Sequence, residues 1–273
     1  MDDFIAANRL NWDDRARLHT TDTTNFYHVA EVLAGGDGLH AIEAAEIGDI
    51  AGKRLVHLQC HIGLDTISLA NHGAIATGLD FSDVALESAR DFARRAGRDV
   101  RFVQSDIYDA PAALGQTYEV AYVTWGAINW LPDIFRWAKV VADVLEPGGF
   151  LYLAEGHPST LCLEEIEGRL VPHYAWRTPR KNPVVLDAPM TYTGDARPLT
   201  HTRTYEWIHP LSEIITALTQ AGLALDWLHE HELLPYRLFP MMEPTESRGL
   251  FRLPDNHPRL ALSFSLRATK RAA

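Results

Sequence analysis

Between residues 54 and 156, short apolar runs of strand length alternate with segments of helical period, and glycines mark the junctions. RLVHLQC (54–60) leads into IGLDTISLANHG, whose apolar positions recur at helical spacing and stop at Gly73. AIATGLD is a second strand, after which Ser82 can cap a helix through ALESARDFARRAG. VRFVQSD and YEVAYVTW supply the third and fourth strands. IFRWAKVVADVL forms a helix ended by Glu-Pro-Gly-Gly, and FLYLAEG is a fifth strand. Such alternation forces right-handed βαβ units, so the chain is predicted to build a doubly wound, Rossmann-like α/β sheet with helices on both faces.

The flanks extend this core. Residues 1–50 read as an N-terminal helical cap, with Phe4, Ile5, Leu10 and Trp12, then Phe26, Val29, Val32 and Leu33, before the GGDG break at 35–38. Residues 51–156 and 209–273 are assigned to the core, and 157–208 to an inserted substrate cap. In that insertion MTYTGDARPLTHTRTYEWI (190–208) reads as two strands around a Gly-Asp turn. ALDWLHE and LALSFSL are predicted to pair as a hairpin, which brings the sheet to seven strands with an antiparallel edge.

Composition narrows the function classes. The 273 residues are 47% hydrophobic and 22% charged, ordinary globular values, with a formal net charge of -11. That acidity argues against a nucleic-acid groove, which needs a clustered excess of Lys and Arg. The basic cluster Arg90, Arg94, Arg95 and Arg98 reads as a solvated helix face. Cys60 and Cys162 have neither zinc spacing nor the number to staple a long chain, so no metal site and a reduced, cytoplasmic setting are expected. The charged N-terminus has no apolar signal core, and no run approaches about 18 apolar residues, so no membrane span is expected. Oligomeric state is not readable.

In doubly wound sheets the ligand lies outside the carboxyl ends of the strands. Gln59 to Gly63, Asp80, Asp106 and Thr124 to Asn129 should therefore gather along one rim. VHLQCHIGLDT, with Gly63 alone, fails the G-x-G-x-x-G dinucleotide fingerprint, which disfavours NAD or FAD. The following helix N-terminus could still hold a single carboxylate. Asp80, ending GLD, can accept from both hydroxyls of a ribose, and Asp106 from an adenine amino group while Ile107 packs on the ring. Together these describe a site for a nucleoside bearing an amino-acid tail.

The order of glycine turn, Asp80, Asp106, VTWGAINWLPD and EPGGFLYLAEGHP resembles the class I S-adenosylmethionine-dependent methyltransferases. The resemblance is greatest to bacterial small-molecule enzymes whose first loop reads LQCHxGxDT, and runs from the N-terminal helices to SFSLRAT. It implies S-adenosyl-L-methionine as cofactor, with the methionine moiety near Gln59, Cys60, His61 and Gly63. It further implies Asp80 on the ribose, Phe81, Asp106 and Ile107 at the adenine, and Thr124, Trp125 and Gly126 on the sulfonium side. Trp12 and Tyr27 become lid residues by the same resemblance. The sequence departs from the broad pattern at His57, Gln59 and His61, where an acid and two glycines are usual.

Methyl transfer is an in-line displacement in which positioning can supply about 7–11 kcal/mol. A general base is needed only where the acceptor loses a proton in the transition state. Glu155 and His157, at the end of the fifth strand, are the expected catalytic pair, with His201 and His209 as further candidates. Trp12, Phe26, Tyr27, Trp125, Trp130, Tyr174, Trp176, Tyr205 and Trp207 could form an aromatic wall for a cation. The expected activity is transfer of a methyl group to a small-molecule N or O acceptor. The alternatives are a C- or S-methyltransferase, a non-catalytic protein that binds the cofactor or its product, and, least supported, a Rossmann oxidoreductase.

Overall fold

The computed structural model describes residues 2–271. Three helices come first: α1 (Asp2–His19), α2 (Val29–Leu33) and α3 (Ala41–Glu46). The alternating core follows as β1 (Arg54–Leu58), α4 (Leu64–Asn71), β2 (Ile75–Asp80), α5 (Asp83–Arg95) and β3 (Arg101–Gln104). It continues through α6 (Ala110–Leu114), β4 (Tyr118–Thr124), α7 (Ile134–Val144) and β5 (Leu145–Gly156). Next come α8 (Pro158–Leu161) and four short strands, β6 (Leu163–Ile166), β7 (Arg169–Pro172), β8 (Val184–Asp187) and β9 (Arg203–Glu206). The chain ends with α9 (Leu211–Gln220), β10 (Leu223–His231), β11 (Glu243–Pro244), β12 (Phe251–Arg252) and β13 (Ser263–Lys270).

The seven-stranded sheet has the order β10-β13-β5-β4-β1-β2-β3. Strands β3, β2, β1, β4 and β5 are parallel, and β13 runs antiparallel between β5 and β10. The predicted hairpin thus forms that end of the sheet, with β13 as its antiparallel member. Strands β1 and β4 are almost wholly buried because helices cover both faces. On one face α7 buries Ile134, Trp137, Ala138 and Val141 at helical spacing, in one cluster with Ile214 and Leu218 of α9. Trp137 is fully buried, so its truncation to Ala would cost about 3–5 kcal/mol. On the other, α5 begins where Ser82 Oγ accepts the N–H of Ala85 at 3.1 Å, and it buries Ala85, Leu86, Ala89, Phe92 and Ala93. Its basic outer face is balanced locally: Arg94 and Arg95 pair with Asp91, and Arg90 stands 3.7 Å from Asp83.

The insertion folds differently in detail from its sequence pattern. Val184–Asp187, not the run at 190–193, pairs with Arg203–Glu206, and residues 188–202 form the long connection. Thr191, Thr193 and Asp195 are buried there, and two of them serve the N-terminal segment: Thr191 meets His19, and Asp195 accepts from Thr23 Oγ1 at 2.8 Å. A second hairpin, β6–β7, turns at Glu167 and Gly168, both at positive φ, as a two-residue hairpin requires. Helix α1 is sewn to this insertion from 190 residues away, for Asn11 Nδ2 donates to His201 O at 2.6 Å and Asn8 Nδ2 to Tyr205 O at 2.7 Å. Among the described residues no helix is long and apolar enough to cross a membrane.

Candidate active site

The carboxyl ends of β1 to β4 open into a cavity of about 550 Å³, within the range of ligand pockets. Its floor is the turn after β1. Gln59 (φ 60°), His61 (φ 50°) and Gly63 (φ 74°) all lie in the left-handed region, alternating with ordinary residues. A left-handed side-chain-bearing residue costs about 1–2 kcal/mol, so something must hold Gln59 and His61 there. Three contacts do so. Gln59 Nε2 donates to Ala127 O at 2.9 Å, the His61 N–H donates to Asp80 Oδ2 at 2.9 Å, and the Cys60 N–H donates to Leu79 O at 2.9 Å. Gly63 is required twice over, because a Cβ there would stand 2.7 Å from Ala89 Cβ and 2.8 Å from Phe102 Cε1. His57, buried where an acid was usual in the resembling enzymes, faces Thr66 Oγ1 at 2.9 Å, and burial lowers its pKa to about 3.

Asp80 is nearly buried at 6% exposure, and its Oδ1 accepts the N–H of Ser82 at 2.9 Å. Burial raises its pKa to about 6, against the lowering effect of these main-chain donors. Two N–H donors leave a carboxylate with lone pairs for two more hydroxyls. Beside it, Phe81, Asp106 and Ile107 line the cavity, and Asp106 Oδ1 caps the next turn by accepting the Tyr108 N–H at 2.8 Å. Thr124, Trp125 and Gly126 line the opposite wall, where Trp125 (φ 52°) donates from Nε1 to Glu43 Oε1 at 2.9 Å. Gln59, Cys60, His61, Gly63, Trp12 and Tyr27 line it as well, so every expected cofactor-binding residue meets here. The Cys60 thiol is buried and its pKa pushed up, so this residue serves the turn through its main chain.

The expected catalytic pair does not reach this cavity. Glu155 is a buried clamp: Oε2 accepts the Gly126 N–H at 2.5 Å, and Oε1 accepts those of Ala127 at 2.7 Å and Ile128 at 2.9 Å. Three main-chain donors occupy the carboxylate and shape the turn after β4. His157 caps α8, with Nδ1 2.6 Å from Ser159 Oγ and Nε2 3.1 Å from Glu230 Oε1. His201 pairs with Asp14 at 2.9 Å on the surface, and the buried His209 meets Leu131 O at 2.7 Å. Of the aromatic residues, Trp12, Phe26, Tyr27, Trp125 and Trp130 line the cavity, Tyr174 and Trp207 line a second one, and Trp176 is 66% exposed.

Several groups in the cavity were not foreseen. Arg15, 7% exposed, lies between the rings of Trp12 (5.4 Å) and Tyr192 (5.5 Å). Its Nε donates to Asn11 Oδ1 at 2.6 Å, and among the described residues its guanidinium forms no ion pair. Above the β1 turn, His61 Nε2 meets His19 Nδ1 at 2.8 Å, His19 Nε2 meets Thr191 Oγ1 at 2.6 Å, and Tyr27 bonds Tyr192. Burial holds both imidazoles neutral, His61 at about 3 and His19 lower still. Gln59 Oε1 and Asn129 Oδ1 are buried on the cavity wall without a partner. An uncompensated buried acceptor costs about 1–3 kcal/mol, the mark of groups that a ligand satisfies.

The seven-stranded, largely parallel sheet is the Rossmann-like fold of solved S-adenosylmethionine-dependent methyltransferases. Residues 56–149 match the family model described as a methyltransferase domain. The chain is 28% identical over 143 residues to a ubiquinone biosynthesis O-methyltransferase of Vibrio vulnificus (strain YJ016), a match covering 52% of this chain and 56% of that one. It thus spans little more than half the length of the curated relatives it matches. An S-adenosylmethionine dependent methyltransferase from Mesorhizobium loti superposes with a TM-score of 0.58 at 19% identity, over 84% of this chain and 95% of that one. The magnesium protoporphyrin IX methyltransferase of Synechocystis PCC 6803 with bound SAH gives 0.50 at 16% identity, over 92% and 84%.

Proposed function

We propose that the chain transfers a methyl group from S-adenosylmethionine to a nitrogen or oxygen of a small molecule. The observation that carries this reading is the turn after β1. It keeps three alternating left-handed residues although two of them are Gln59 and His61, and Asp80 holds it from the neighbouring strand. A turn retained at that energetic cost indicates a ligand that needs its main chain exposed. The Vibrio relative is named for transfer to oxygen, and the groups around this chain's own cavities, Glu206 and Asn129 among them, decide between the two atoms.

In this reading Asp80 takes the ribose hydroxyls, and Phe81, Asp106 and Ile107 hold the adenine. Gln59, Cys60, His61 and Gly63 surround the methionine moiety, with the unpartnered Gln59 Oε1 available to its ammonium and Arg15 to its carboxylate. Thr124, Trp125 and Gly126 border the sulfonium, and Trp12 and Tyr27 close the cavity over it. The cofactor, when bound, supplies a methyl carbon already activated by the adjoining sulfonium charge. The protein's part is orientation and exclusion of water, with Glu155 fixing the β4 turn as a positioning residue and His157 fixing the end of β5.

The test is calorimetric titration with S-adenosylmethionine, S-adenosylhomocysteine and NADH. Micromolar binding of the two sulfur nucleosides, absent for NADH and lost in Asp80→Ala, is the expected result. Failure of folded protein to bind either nucleoside would overturn the reading.

A further inference from the structure

A second cavity of about 360 Å³ adjoins the first, and Asn129, Leu161, Leu186, Glu206 and Leu238 belong to both walls. The insertion builds most of it, together with the segment after β10. Every charged residue lining it is a carboxylate: Glu164, Glu165 and Glu206. Two of these are engaged, Glu164 with His173 at 3.0 Å and Glu165 with the Met241 N–H at 2.7 Å. Glu206 stands at the junction of the cavities. Asn129 Nδ2 donates to its Oε2 at 2.9 Å, while its Oε1 has only a long 3.5 Å contact from Thr204 Oγ1.

Asn129 is itself fixed, because its carbonyl accepts the Trp207 N–H at 2.7 Å, and its Oδ1 is buried with no partner. The junction therefore offers a largely free carboxylate oxygen and an orphaned amide oxygen, both acceptors. Tyr174 and Phe239 supply aromatic surface in the cavity behind them. Arg15 forms no ion pair with Glu206 among the described residues and acts on it only by longer-range attraction, so Oε1 stays open to a ligand. Open acceptors beside aromatic ring faces are the chemistry that recognises an ammonium group.

Resting on the methyl-transfer reading, we propose that the second cavity is the acceptor pocket, that it takes an amine on an apolar or aromatic body, and that Glu206 is the counter-ion of that amine. Nitrogen attacks carbon only through a free lone pair, so one ammonium proton must leave first. Oε1 of Glu206 accepts that proton; burial raises its affinity for one, and the Asn129 hydrogen bond and the Arg15 charge moderate the rise. The lone pair so released forms the new nitrogen–carbon bond as the sulfur–carbon bond breaks with its pair on sulfur. The proton on Glu206 then passes to water. Carboxylate-bearing acceptors are excluded by the same charges.

Calorimetry tests this with 2-phenylethylamine, 2-phenylethanol and phenylacetate as probes, each titrated with and without saturating S-adenosylhomocysteine. We expect the amine to bind at least about tenfold more tightly than the alcohol, and the carboxylate not at all. Glu206→Gln should remove the amine's advantage, while the variant's affinity for S-adenosylhomocysteine reports that it is folded. An amine that binds no better than the alcohol, or equally well to Glu206→Gln, overturns the proposal and leaves the methyl-transfer reading intact. Failure of S-adenosylhomocysteine alone to bind, with amine binding still dependent on Glu206, overturns methyl transfer and leaves an amine site.

Discussion

Oε1 of Glu155, at the end of β5, accepts the main-chain N–H of Ala127, just past the end of β4, at 2.7 Å. Because the same carboxylate also holds Gly126 and Ile128, an amide in its place would point an N–H₂ group at main-chain donors. Glu155→Gln is expected to lose about 2–3 kcal/mol in urea unfolding and to weaken S-adenosylhomocysteine binding. A proton-removing base would instead lose turnover with stability and affinity untouched, and that pattern would refute the clamp.

The left-handed turn makes a prediction with a built-in control. Gln59→Gly relieves backbone strain but loses the bond to Ala127 O, so its stability should stay within about 1 kcal/mol of the native chain. Gln59→Val, β-branched at positive φ, should lose about 2 kcal/mol or more. Equal effects of the two in denaturant titrations would remove strain from the account.

Arg15 can be probed with two ligands that differ only in their tail. Its buried guanidinium forms no ion pair among the described residues, and we propose that it meets the tail carboxylate. Arg15→Gln should weaken S-adenosylhomocysteine by about tenfold or more and leave methylthioadenosine, which has no carboxylate, within about threefold. Equal losses for both ligands would place Arg15 outside the tail site.

Glu43 gives the pH dependence. It is fully buried, its Oε1 accepts from Trp125 Nε1 and the His40 N–H, and its Oε2 has no partner. Burial raises its pKa to about 8. Since the unfolded value is about 4.3, the folded chain retains a proton that the unfolded chain has released, and this contribution is full below about pH 4.3 and declines up to about pH 8. Glu43→Gln removes the titration, so its melting temperature relative to the native chain should climb from pH 5 to pH 8. A constant difference across that range would show that Glu43 stays ionised.

The division between what the sequence made legible and what it hid follows from the range of the interactions. Strands β1 to β5 and their helices announce themselves through local periodicity, and Asp80 and Asp106 through their places at strand ends. The run at 190–193 misleads because its threonines look like strand residues, whereas tertiary contacts from Thr191 to His19 and from Asp195 to Thr23 decide its conformation. Glu155 and His157 stand at the right strand end, but main-chain and side-chain partners occupy them and neither lines the cavity. Arg15 and Glu206 lie on elements nearly 200 residues apart in sequence, and only the folded arrangement brings them to one cavity. The Trp12 and Arg15 spacing on one face of α1 was the available signal for the first; nothing marked the second.

The bonds from Asn8 and Asn11 to Tyr205 and His201 also set an order of events during synthesis. Helix α1 leaves the ribosome well before the insertion, and its partners follow 190 and 197 residues later. At about 5–20 residues per second that is a wait of roughly 10–40 s, during which Asn8 and Asn11 have no native partner in the insertion. The nascent chain therefore carries an open crevice long before it has a roof.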